Sequence, residues 1–258
     1  MIESSPRGVG NLFHRLWEQD NSYIKKRYGW WWGYTREEID QIKKDINDPR
    51  IFAQEYEMEF LTSGRCVFDQ VSILQARKNI LNVGDVRKDN NFKIYETGDG
   101  LRVYGEPEQD GIYCVGADVS EGISGGDYSV AVVWDRRNGE EVAYFRGHVH
   151  PDIFGELLNK WGRWFNNALM VVEVNSHGFT TVNTLKQLIY PTMYYRPAKM
   201  ETIASSISNR LGWKTTMVTR PLLIDDLRRS FRDKLLTIHS KELLDEMIVF
   251  IFDDSGSM

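Results

Sequence analysis

The clearest hydrophobic periodicities of this chain fall in its second half. Residues 113–119 form a short apolar run suited to a buried strand, and residues 128–135, rich in valine, form a second. Residues 140–148 alternate between apolar and polar. The Arg137-Asn138-Gly139 turn before them predicts that the second and third strands pair as a hairpin. From Pro151 the period changes to that of a helix, with Ile153, Phe154, Leu157, Leu158, Trp161 and Phe165 on one face. Residues 169–174 are continuously apolar apart from one acid, as in a parallel strand covered on both sides. Helices are expected over 178–188, 222–234 and 241–247, with a short strand over 236–238.

The first half reads differently. Leu12, Phe13, Leu16 and Trp17 have amphipathic helical spacing. After the Trp30-Trp31-Trp32 run, Thr35 and Glu38 resemble a capping box at the start of a helix over 36–45. Pro49 suits the first turn of another helix, over 49–60. Residues 69–111 are polar and irregular, with Asp89-Asn90-Asn91 and Gly98-Asp99-Gly100 as turn signals, and are read as short strands or a linker. The order strand, hairpin, helix, buried parallel strand opens a ribonuclease H-like mixed sheet, although other mixed α/β domains share that order.

Composition narrows the class. At 258 residues, with 41% hydrophobic and 27% charged positions, the chain has the balance of a globular protein able to bury a sizeable core. Its apolar runs are too short to span a bilayer, so no membrane partner is expected, and no charged-then-apolar leader opens the sequence. Cys66 and Cys114 are too few for a disulfide framework or a four-ligand zinc site and read as small core residues. A formal net charge of −5 is unlike a surface coated in nucleic acid, but it allows a local basic patch beside a cluster of acids.

Asp118, near the end of the first strand, and Glu173, inside the fourth, are the leading candidate site. A carboxylate in an apolar strand pays for desolvation, and two on neighbouring strands repel each other. A divalent cation removes both penalties. Magnesium and manganese prefer carboxylate oxygens, and two ions about 3.5–4 Å apart can activate a water and stabilise the leaving oxygen of a phosphodiester. The bland alternative makes both acids solvent-facing strand ends. Asp127, just before the second strand, is a further candidate that could equally cap a turn, and Glu121 reads as a turn residue. His148 and His150 alternate as if on one strand face, but no third zinc ligand accompanies them. His177 reads as a rim residue able to meet a phosphate, or as an ordinary loop residue. Arg210, Lys214, Arg220, Arg228 and Arg229 form either a phosphate-contacting region or a solvated helix face.

These segments also resemble the large terminase subunits that package DNA into the heads of tailed bacteriophages. Gly116-Ala117-Asp118 with Gly126-Asp127-Tyr128-Ser129 looks like that family's first metal-ligand strand and the hairpin after it. Val172-Glu173-Val174-Asn175 followed by Gly178 looks like the second ligand strand and its helix. Gly212-Trp213-Lys214-Thr215 with Thr219-Arg220-Pro221 is similar to a late loop before a helix, and Leu243 to Met247 with Phe250 to Gly256 to the approach to the last ligand. Ser4-Ser5-Pro6-Arg7-Gly8 resembles the coupling segment at the end of the packaging ATPase, and Phe52-Ala53-Gln54-Glu55-Tyr56 with Phe60 the segment joining motor to nuclease.

The resemblance implies an α/β, ribonuclease H-like nuclease domain over 69–258, flanked by helices and lacking its last segment. Residues 1–68 would be a helical remnant of a P-loop ATPase domain. It implies two Mg2+ or Mn2+ ions held by Asp118 and Glu173 with help from Asp127, and cutting of concatemeric double-stranded DNA in the cytoplasm of the infected host. The portal protein and the small terminase subunit would be partners. The family's third ligand, an aspartate in a His-Asp-Asp segment, would lie beyond Met258; Asp253 and Asp254 belong to the preceding turn. No Gly-x-x-x-x-Gly-Lys-Ser/Thr loop occurs, so no complete ATP site is expected in this chain. Two other readings stand beside this one. An actin-like or sugar-kinase ATPase would use the glycine-rich segment 122–127 to hold phosphates, and a non-catalytic fragment would dock on the portal.

Overall fold

The computed structural model describes residues 6, 12–61, 66–196 and 210–252. The chain divides into two compact units, Met1–Lys78 with Lys241–Met258, and Asn79–Ser240.

The first unit is helical. It contains α1 (Leu12–Glu18), a 3-10 turn at Trp30–Trp32, α2 (Arg36–Ile46), α3 (Pro49–Glu55) and α4 (Gln70–Ala76). The capping box is present: the Thr35 hydroxyl accepts from the Glu38 amide, and the Glu38 carboxylate accepts from the Thr35 amide at 2.8 Å. Asn47 ends α2 in the left-handed region, and Asp48 then caps α3, with Pro49 in its first turn. That helix stops at Glu55, five residues before the expected end. Helix α4 falls where short strands or a linker were expected; the Asp69 carboxylate accepts from the Ser72 amide at its start. The last helix of the chain, Lys241–Val249, belongs to this unit, where Arg77 pairs with Asp245 at 2.6 Å. Phe60 collects the rings of Phe13 and Trp17, while Trp31 and Trp32 are exposed.

The second unit is built on a six-stranded mixed sheet, flanked by helices. Its strands are β1 (Tyr95–Glu96), β2 (Arg102–Val103), β3 (Tyr113–Asp118), β4 (Ser129–Asp135), β5 (Glu140–Gly147) and β6 (Leu169–Val172), in the spatial order β1-β2-β5-β4-β3-β6. Every neighbouring pair is antiparallel except β3 with β6. Gly139 (φ +70°) closes the β4–β5 hairpin, where a Cβ would sit 1.9 Å from the Leu235 carbonyl oxygen, so no side chain fits. The expected strand at 236–238 is reduced to a single bridge between Thr237 and Glu140.

One sheet face is covered by α5 (Pro151–Trp164) and α6 (Gly178–Gln187). Val115, Ala117, Ala131, Val133 and Phe145 meet Phe154, Leu158, Trp161, Val182 and Leu185 there, all buried. Ile153, expected on the buried face of α5, is 49% exposed. The opposite face holds a smaller cluster of Ile94, Tyr104 and Tyr144 against Val130 and Val132. The remaining helix, α7 (Thr219–Arg232), begins three residues earlier than expected, accommodating Pro221 in its first turn.

Glu141 is fully buried, and one carboxylate oxygen accepts from the amides of His239 (2.6 Å) and Ser240 (2.9 Å). Burial pushes its carboxyl up, against the pull of those amides. A carboxyl raised in this way contributes most stability below its unfolded value of about 4.3, and the contribution is lost as pH climbs through the raised folded value. Glu141→Gln keeps an acceptor for both amides and removes the charge, so it should flatten the pH dependence of urea unfolding above about pH 4.3. Glu141→Leu leaves two buried donors unpaired and should cost about 2–5 kcal/mol. Equal stability of the leucine and glutamine variants would refute this account.

Candidate metal centre

The two leading acids meet through the parallel β3–β6 pair. Cys114, Val115, Gly116 and Ala117 stand opposite Leu169, Met170, Val171 and Val172, so the next residues in register are Asp118 and Glu173. The Glu173 amide donates to the Ala117 carbonyl at 2.8 Å, carrying the pairing one step past the strand. Ala117 and Val172 point into the core, so Asp118 and Glu173 project from the sheet face opposite α5 and α6. Their Cα positions are therefore about one strand spacing apart, ~4.8 Å.

Asp118 keeps solvent access, yet its carboxyl is raised above the ordinary aspartate value. Partial desolvation is the main cause, the charge of Glu173 the next, and Asp127 adds a smaller repulsion; the Val119 amide opposes them. Asp127 itself is exposed, and its backbone carbonyl accepts from Nδ1 of His148 at 3.2 Å. Among the described residues no three His, Cys, Asp or Glu side chains come together as a ligand group. Asp127 thus feeds the local field without joining the close pair. Asp253 and Asp254 lie outside the described residues, as do Ser4, Ser5, Arg7 and Gly8 of the coupling-like segment.

Glycines allow the close approaches beneath the pair. At Gly178, the first residue of α6, a Cβ would lie 1.8 Å from the Glu173 carbonyl oxygen. Gly212 (φ +75°) lets a crossing segment reach β6, so that Trp213 donates to the Val172 carbonyl and accepts from the Val174 amide, both at 2.7 Å. Asn175, whose role the sequence reading missed, donates through Nδ2 to Glu173 Oε1 and to the Thr215 carbonyl, each at 3.0 Å. Both partners accept, which fixes the amide orientation and leaves Asn175 Oδ1 buried without a donor among the described residues. Its position two residues after the strand acid was the available sequence signal.

Two neighbouring carboxylates are an oxygen donor pair suited to a hard divalent cation. The chemistry of Asp118 and Glu173 fits such an ion.

Other candidates fall into place around this centre. His177 and Glu121, from the loops after β6 and β3, meet at 3.2 Å on the rim. His148 and His150 do not share a strand face: β5 ends at Gly147, and His150 is the residue that precedes α5. Arg228 and Arg229 pair with Asp225 and Asp226 of their own helix.

In comparisons with known proteins, no family model and no curated protein matches the sequence. Solved structures do match. The large terminase nuclease of thermophilic phage G20c with bound magnesium has a TM-score of 0.50 at 17% identity, over 72% of this chain and 84% of that one. The same nuclease with bound cobalt gives 0.50 at 18%, with the same two coverages. The large terminase nuclease domain of Thermus phage P74-26 gives 0.47 at 18%, over 72% and 82%. The chain has the ribonuclease H-like fold of large terminase nucleases, so the likeness read from short motifs extends to the three-dimensional structure. Among the described residues no helix is long and apolar enough to cross a membrane.

Proposed function

We propose that this chain is part of the large terminase subunit of a tailed bacteriophage, and that it cuts concatemeric double-stranded DNA with divalent metal ions. The observation that carries the reading is the register that sets Asp118 beside Glu173 on one sheet face, at the junction of two strands distant in sequence. G20c nuclease structures with magnesium and cobalt support a divalent ion in this fold. Asp118 and Glu173 would hold Mg2+ or Mn2+, two ions in all, with Asp127 assisting; when bound, such ions activate a water and neutralise charge on the phosphodiester being cut. Asn175 orients the Glu173 carboxylate, and partial desolvation of Asp118 strengthens its attraction for a cation. Residues 1–68 would be the end of the packaging ATPase domain and the linker to the nuclease domain over 69–258. Portal protein and small terminase subunit would be partners in the cytoplasm of the infected host.

Titration of Mn2+ into the full chain tests this. Saturable binding is expected in the parent, weakened at least ~10-fold in Glu173→Gln, and plasmid cutting should stop when EDTA is added. Absence of saturable Mn2+ binding by the parent would remove the basis of the proposal.

A further inference from the structure

The row that carries the acid pair continues across the sheet. Asp118 stands opposite Val130, and Val130 opposite Arg146, so Glu173, Asp118, Val130 and Arg146 occupy consecutive strands on one face. Arg146 is therefore two strand spacings from Asp118, about 10 Å between Cα positions. One step further along the β4–β5 hairpin, the Ser129–Gly147 pair brings Tyr128 opposite His148.

These three side chains form a stack. The Arg146 guanidinium lies 3.7 Å from the Tyr128 ring centroid, and the His148 ring stacks on the same tyrosine at 4.1 Å and 27°. Two groups this near one ring centre must occupy its opposite faces. His148 is anchored in turn through Nδ1, which donates to the Asp127 carbonyl at 3.2 Å. Arg146 is exposed, and among the described residues it has no carboxylate partner. Arg228 and Arg229, by contrast, are each paired with an aspartate of their own helix. Arg146 instead has its planar head held against an aromatic face, its side chain without a hydrogen bond among the described residues, on the same surface as two acids that would hold cations. An arginine held this way presents its donor fork to a phosphate with little further loss of side-chain freedom.

We propose that Arg146, held by Tyr128 and His148, is a phosphate-binding residue for duplex DNA. It grips the backbone at a phosphate near the one that Asp118 and Glu173 address through their metal. This rests on the proposed nuclease reading and adds the surface that orients the substrate on it. Charge complementarity supports it: the phosphodiester chain crosses a cation-bearing site and then reaches a fixed guanidinium.

The test is binding of a short fluorescein-labelled duplex to the full chain, followed by anisotropy in EDTA so that no cutting occurs. Arg146→Gln should weaken binding about 3- to 10-fold near 100 mM salt and reduce the slope of log K against log salt by about 0.9, the contribution of one phosphate contact. Tyr128→Leu, which frees the guanidinium, should weaken binding in the same direction, and Tyr128→Phe, which keeps the ring, should match the parent. Mn2+ titration of Arg146→Gln should match the parent, so failure of metal binding in the parent and failure of DNA binding by this surface are separate outcomes. A titration of Arg146→Gln or Tyr128→Leu that coincides with the parent overturns the proposal.

Discussion

On the proposed reading, Asp118→Asn in the full chain should reduce divalent-ion-dependent cutting of supercoiled plasmid by about 1,000-fold or more, because it would remove a charged ligand worth several kcal/mol of charge stabilisation. The substitution is nearly isosteric and sits at a strand end with solvent access, so the fold should survive. In metal-free buffer the variant should melt slightly higher than the parent, by about 1–3 °C, because the repulsion between Asp118 and Glu173 is gone. Added Mn2+ should then raise the melting temperature of the parent but not of the variant. The two readouts separate a lost ligand from a damaged fold. A variant that cuts at the parental rate would remove Asp118 from the chemistry.

Gly178→Ala should be the most damaging single-methyl change near the site. The new Cβ would lie 1.8 Å from the Glu173 carbonyl oxygen, and backbone cannot yield as a flexible side chain can. Relief requires separating the start of α6 from the end of β6, at a cost of about 3 kcal/mol or more. Because Glu173 is the residue displaced, the cutting rate should fall by about 100-fold even in the fraction that folds. Gly116→Ala is the control: it lies on β3, two residues from Asp118, and a Cβ there meets nothing within 4 Å. Comparable losses in stability and cutting for the two variants would mean that the contact with Glu173 is not what matters.

Strands β3 to β6 and helix α5 were legible in the sequence because their signals are local: short valine-rich runs, a Gly139 turn and a proline-led amphipathic helix. The Thr35–Glu38 capping box was legible for the same reason. Helix α4 buries only Gln70 and Ile73, so no clear apolar stripe marks it, and only Asp69 signalled its start. Strands β1 and β2 have two residues each, too few for any alternation to appear. At the candidate centre, the sequence placed Asp118 and Glu173 on separate strands. Their adjacency was expected from the strand order, but the register that sets them side by side comes only from β6 docking parallel to β3. Asn175 and Arg146 were passed over because an amide near an acid and an arginine in a strand are ordinary until their neighbours are known.

The lone parallel pairing has a consequence for how the protein is made. The β3–β4–β5 meander closes through short connections, while β6 must first be synthesised and carried back across the sheet by α5. A nascent chain that has folded only its meander holds one half of the acid pair. On the proposed reading, the two acids can therefore share a metal ion only after the crossover is complete.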